Sequence, residues 1–162
     1  MNLTQIHQSD VNRWAANKNP KLRGSGDTTD KHSLRMIKLL IALAPDLLIS
    51  DRLLHAIALH DVGESQIGDV SGKAKQERPQ LAAWLDHAEA ENRAAMGLTM
   101  PKLNETECRI LHFLDRLDAL MWCKIYDPEQ LRDPDWQECI EWLAQQADAL
   151  GVDITEVLEA MP

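Results

Sequence analysis

Apolar residues recur along this chain every three or four positions almost throughout, and no stretch alternates apolar and polar with β-branched enrichment. That pattern is the signature of amphipathic helices rather than strands. It predicts a first helix over residues 4–16, with Ile6, Val11 and Trp14 as its apolar contacts. Residues 17–29, with Pro20, Gly24 and Gly26 and little that is apolar, read as a loop. A second helix is expected over 30–44, stopped by Pro45. Ser50 is placed to cap a third over 51–61. Gly63, Gly68 and Gly72 break the next segment into a loop with one short turn. Pro79 suits the first position of a fourth helix, which ends near Gly97. Asn104 and Glu107 make a capping-box start for a fifth that runs to Tyr126. Asp133-Pro134 opens a sixth, ending at Gly151, and Asp153 with Glu156 opens a short last one. With no internal repeat and no linker-like segment, the expectation is an all-α fold of about six or seven helices in a single domain over residues 1–162.

Charge sharpens this picture more than composition does. The chain has 162 residues, and 17 Lys and Arg against 26 Asp and Glu leave a net charge of −9. That balance argues against a general nucleic-acid or membrane-surface binder, because both partners are anionic. It leaves room for a small anionic substrate held by a few local cations. The apolar stretch at 39–45 is far shorter than the roughly 20 residues that span a bilayer. The first residues, Met1-Asn2-Leu3-Thr4, carry no basic segment followed by an apolar one, so no signal peptide is expected. Cys108, Cys123 and Cys139 are odd in number and form no CxxC, which suits reduced, partly buried thiols in a cytoplasmic protein.

Of the histidines, His60 is the informative one, because Asp61 follows it directly. Neighbours in mid-helix point about 100° apart and seldom share a metal. At a helix end, where Gly63 lets the chain turn, both side chains can lean over one mouth. Glu64 is four residues past His60 and can sit above the same spot. His32 opens the second predicted helix on its core-facing side. Asp115 and Asp118 lie on an otherwise apolar stripe of the fifth, where a carboxylate is costly unless paired or metal-bound. Two histidines and two aspartates from three helices suit a divalent transition metal such as Zn, Mn or Co, with positions left for water and substrate. His112 lies on that stripe as well and is expected to be buried near the site, while His7, His55 and His87 are assigned to the surface. Trp84, Trp122, Trp136 and Trp142 are expected in the core or an interface, and the acidic run 86–91 on a solvated helix face.

The arrangement His32, then His60-Asp61, then Asp115 resembles the HD-domain metal-dependent phosphohydrolases. The local strings resemble the bacterial 5′-deoxynucleotidase branch and its short phage relatives, which include dATP triphosphohydrolases. They are Asn12-Arg13-Trp14, Lys18-Asn19, His32-Ser33-Leu34, His60-Asp61-Val62-Gly63-Glu64, Gly68-Asp69, Lys75 and Asp115-Arg116-Leu117, in the family's order over most of the chain. The resemblance implies that His32, His60, Asp61 and Asp115 hold one divalent metal. It implies that Glu64 stands beside the attacking water as acid and base. Arg13 and Trp14 would contact phosphate and deoxyribose, and Asp69 and Lys75 would border the substrate, with Lys18 of the basic loop a further candidate for binding phosphate. Asp118 is the other candidate for the fourth ligand, with an ion pair to Arg109 or Arg116, or a solvent-facing turn, as its ordinary alternatives. The chain departs from the family pattern at Gly68-Asp69-Val70-Ser71-Gly72-Lys73-Ala74-Lys75, where two prolines are absent. Its loop from Trp14 to His32 is longer and carries Lys18, Lys21 and Arg23, and His112 stands where relatives often have Lys.

The expected function is therefore a metal-dependent 2′-deoxynucleotide phosphohydrolase in the cytoplasm, homo-oligomeric like the family it resembles. The longer basic loop and short chain lean toward a dNTP triphosphohydrolase, with a 5′-deoxynucleotidase acting on dNMPs as the alternative. An alarmone hydrolase fits less well, because Gly63-Glu64-Ser65 lacks the Glu-Asp pair of those enzymes. A binding module without catalysis is the reading from a different class.

Overall fold

The longest helix organises the molecule. In the computed structural model, which describes residues 1–43 and 49–159, the regular secondary structure among the described residues is helical apart from one isolated antiparallel bridge between Asn12 and Thr28. Among the described residues the helices are α1 (Leu3–His7), α2 (Pro20–Arg23), α3 (Thr29–Leu43), α4 (Asp51–Leu59), α5 (Gly72–Glu77), α6 (Pro79–Met96), α7 (Glu105–Tyr126), α8 (Pro134–Leu150) and α9 (Thr155–Glu159). Two 3₁₀ turns, Val62–Gln66 and Pro128–Arg132, complete them. The all-α expectation holds. The two helices beyond it are α2 and α5, each a single short segment where the sequence pattern predicts loop. The expected stop at Pro45 lies outside the described residues.

Local chemistry sets most of the ends. The Asn104 side chain accepts from the Glu107 amide while the Glu107 carboxylate accepts from the Asn104 amide, so α7 begins with two otherwise unpaired donors satisfied. Ser50 caps α4 through the Leu53 amide, and Ser71 caps α5 through the Ala74 amide. Pro79 and Pro134 occupy the first turns of α6 and α8. Gly97 and Gly151 close these helices in the left-handed conformation.

The first predicted helix is corrected. It ends at His7 instead of Ala16, because the backbone beyond it bonds elsewhere. The Ser9 hydroxyl donates to the Ile6 carbonyl. The Val11 amide then donates to Thr29 Oγ1, the Thr29 amide to the Val11 carbonyl and the Arg13 amide to the Asp27 carbonyl. Asp10 accepts from the Asp30 amide at the start of α3. This extended pairing delivers Arg13 and Trp14 beside the first turn of α3.

Helix α7 buries Phe113, Leu114, Leu117 and Leu120 against α3, α4 and α8, in a cluster that also holds Met36, Leu53, Ile57 and Leu143. Trp14, Trp122, Trp136 and Trp142 pack against its edge. Trp84 does not: it is 58% exposed on the outer face of α6. His112 is exposed too, contrary to the expectation, because it sits about 140° around α7 from Leu117. Cys123 is buried and Cys139 half-buried, while Cys108 is exposed; all three thiols are free. Among the described residues no helix is long and apolar enough to cross a membrane.

Candidate functional site

The site forms where α3 begins and α4 ends. His32 stands in the first turn of α3 and is fully buried. His60 terminates α4, and Asp61, at φ −93° and ψ −8°, turns the chain into the 3₁₀ segment. That turn places two adjacent side chains on one mouth: His60 Nε2 lies 3.2 Å from Asp61 Oδ1, and His32 Nε2 lies 3.8 Å from Asp61 Oδ2. The two imidazole centroids are 5.2 Å apart. One donor atom from each of His32, His60 and Asp61 fits within 4.8 Å of the other two.

The protonation pattern suits a cation. His60 Nδ1 donates to the Ile57 carbonyl at 2.8 Å, which leaves the Nε2 lone pair facing the cluster. Nε2 of both histidines is buried without a hydrogen-bond partner among the described residues. Buried polar atoms are seldom left unpaired, since each costs about 1–3 kcal/mol. Two such atoms converging beside a carboxylate fit a divalent transition metal held by imidazole and oxygen ligands.

Asp115 comes from α7. Its Oδ1 is 3.1 Å from His32 Nε2 without hydrogen-bond geometry, and 3.3 Å from Arg13 Nη2. It borders the group of three without joining the mutual set. Burial alone would raise its pKa, but His32 and Arg13 outweigh that and hold the carboxyl well below the usual range. Asp118 takes the other side of His32, with Oδ2 2.6 Å from Nδ1. Its cationic partners are Arg35 and Arg13, not Arg109 or Arg116. Arg109 pairs with Glu105 within α7, and Arg116 stacks on Trp142.

Glu64 is buried at the next corner of the 3₁₀ turn. Burial, then the charges of Asp61 and Asp69, push its carboxyl up to about 9, against the opposing pull of Lys75. Lys75 Nζ is 3.9 Å from Glu64 and 3.1 Å from Glu89. Asp69 lies near enough to Arg13, Asp61 and Lys75 to feel their charges, and burial foremost lifts it to about 7. Glu89 corrects the reading of the acidic run as a solvated face: it is buried, between Lys75 and Arg93. The same helix grips the turn through Asn92 to the Gly63 carbonyl and Arg93 to the His60 carbonyl.

Arg13 is mostly buried and sits among Asp27, Asp115 and Asp118 at 3.7, 3.3 and 3.5 Å. Trp14 packs on the core edge and donates its Nε1–H to Asp27. Lys18 is exposed on the loop before α2 and makes no ion pair with the site among the described residues. Of the other loop cations, Lys21 is tied to Asp127 at 2.7 Å, so it anchors the loop to the end of α7. Sequence reasoning missed Asp27 and Arg35. Asp27 is fully buried and accepts from Trp14 and Arg35, a role that nothing in a glycine-rich stretch signals. Arg35 interrupts the apolar stripe of α3, and that anomaly is the signal that could have found it.

No family model, curated protein or solved structure matches this chain.

Proposed function

We propose that the protein is a metal-dependent phosphohydrolase acting on 2′-deoxynucleotides. The observation that carries this reading is the convergence of His32, His60 and Asp61, with two buried and unpartnered imidazole nitrogens, beside a buried carboxyl and a lysine. His32, His60 and Asp61 would hold a divalent cation such as Zn²⁺, Co²⁺ or Mn²⁺, with Asp115 the nearest further carboxylate. When bound, the cation would bring the pKa of a water toward neutrality, offset charge on a phosphoryl group and favour the ionised form of Glu64. Glu64 then takes the proton of the attacking water and later returns one to the leaving oxygen. Lys75 faces Glu64 and binds phosphoryl oxygen as a point charge, and Arg13 offers its planar fork to the same group. Glu89 holds Lys75 in place. Trp14, fixed by Asp27, supplies the apolar wall for the deoxyribose.

Whether one phosphate or three leave together divides two versions of this reading. The basic loop favours a triphosphate, but Lys21 is engaged with Asp127, which supports the dNMP version equally. A cytoplasmic homo-oligomer belongs to the same proposal. The test is release of deoxynucleoside from dNMPs and dNTPs with Co²⁺ or Mn²⁺, beside elemental analysis of wild type and Asp61→Ala. Wild type should carry metal and turn over one class, and Glu64→Gln should lose about 10²–10⁴-fold in rate. Equal metal content in wild type and Asp61→Ala, or no release from either class, refutes the proposal.

A further inference from the structure

The contacts of His32 extend away from the cluster, through Asp118, to Arg35. We infer that Asp118, clamped by Arg35, is a positioning residue that keeps the His32 hydrogen on Nδ1 and so presents the Nε2 lone pair to the space shared with His60 and Asp61. This rests on the metal-centre reading above and adds to it the group that prepares one ligand.

The inference follows from donors and acceptors. Asp118 Oδ2 lies 2.6 Å from His32 Nδ1, and both groups are buried. A carboxylate offers lone pairs only, so a contact this short requires Nδ1 to carry the hydrogen. Arg13 Nη1 lies 2.8 Å from the same nitrogen. Accepting from Arg13 would leave the Nδ1 lone pair pressed against the carboxylate, the costlier arrangement at the shorter distance. In the neutral form that binds a metal the imidazole has one ring hydrogen, so placing it on Nδ1 frees Nε2, which is buried without a partner among the described residues. His60 reaches the same state by another route, through the Ile57 carbonyl.

Asp118 is held against rotation. Arg35 donates Nε–H to Oδ1 at 2.7 Å and Nη2–H to Oδ2 at 2.8 Å, a two-pronged clamp. Arg35 is itself fixed by the buried Asp27 at 2.8 Å and by stacking on Trp122 at 4.3 Å. Carboxylates that orient metal-binding histidines typically contribute 10–100-fold to metal affinity.

The test is titration of the metal-free protein with Co²⁺, followed by its visible absorption, for wild type and Asp118→Asn. The variant should bind roughly 10–100-fold more weakly while its far-ultraviolet dichroism stays helical. Because removing a buried carboxylate strands Arg35 and can unfold the chain, long-range ¹H–¹⁵N spectra of wild-type histidines provide a second measurement. At alkaline pH they should show His32 with its hydrogen on Nδ1, and Zn²⁺ should shift Nε2 while Nδ1 keeps its hydrogen. Equal affinity in folded Asp118→Asn, or a hydrogen on Nε2 of His32, overturns the inference and leaves the metal centre standing. Absence of Co²⁺ and Zn²⁺ binding by wild type overturns the metal centre itself.

Discussion

Gly63→Ala tests the packing that carries the site. Gly63 lies where the 3₁₀ turn crosses α6, and a Cβ there would stand 2.6 Å from the Glu89 carbonyl oxygen and 2.7 Å from Glu89 Cβ. Ordinary contact begins near 3.4 Å, so the turn and α6 would have to part by about 0.8 Å. The third neighbour, Arg93 Nη1 at 2.5 Å, is a flexible end, but swinging it away breaks its bond to the His60 carbonyl. The two Glu89 atoms belong to the body of a helix and cannot yield alone. Overpacking of this kind costs about 1–3 kcal/mol, and rigid neighbours place it at the upper end, near 3 kcal/mol. With a urea slope of about 2 kcal/mol/M, the unfolding midpoint should fall by about 1.5 M. The same displacement moves His60 and Glu64, so Co²⁺ affinity should weaken as well. Gly72→Ala is the control, since a Cβ there meets nothing within 4 Å at the start of α5. A Gly63→Ala midpoint within about 0.3 M of wild type would refute the close approach of the turn and α6.

Other outcomes follow from the same contacts. Trp14→Phe removes the Nε1–H that reaches the fully buried Asp27 and should cost about 1–3 kcal/mol by urea denaturation, whether or not deoxynucleotide is present. Chelation by excess EDTA should abolish calorimetric binding of a deoxynucleotide, because Asp61 and Asp115 then face the phosphate without a cation while Glu64 reverts to its neutral form; undiminished binding would count against the site. Glu107 is held below its ordinary value of 4.5, first by the Ser50 hydroxyl, then by the Asn104 amide and Arg52. A lowered folded-state pKa stabilises above the unfolded value and is lost as pH falls through the folded one. The penalty of Glu107→Gln, read from urea midpoints, should therefore be full at neutral pH and shrink below pH 4.5; a constant penalty would contradict it.

What the sequence determined by itself is what its near neighbours decide. Ser50, Asn104 with Glu107, Pro79, Pro134, Gly97 and Gly151 mark helix ends because the groups they satisfy lie within one turn. His60-Asp61 before Gly63 was legible for the same reason, as a helix end whose two side chains share a mouth. Glu64 falls at the next corner of that turn. The tertiary structure decided what depends on distant partners. The segment after His7 left the helix because residues 27–29 offered its amides and carbonyls better partners. Glu89 looked solvated until α5 brought Lys75 across to it. His112 looked buried because a stripe counted from sequence does not say where the buried face of α7 stops. Above all, the partner that orients His32 was undecidable from spacing. Asp115 and Asp118 sit one turn apart on the same helix, and only the packing of α3 on α7 shows which side of the imidazole each one meets. Arg35, 83 positions from Asp118, enters the site only through that packing. Short-range hydrogen bonds are written in adjacent residues, whereas a buried charge is tolerated only where the folded chain assembles its countercharges.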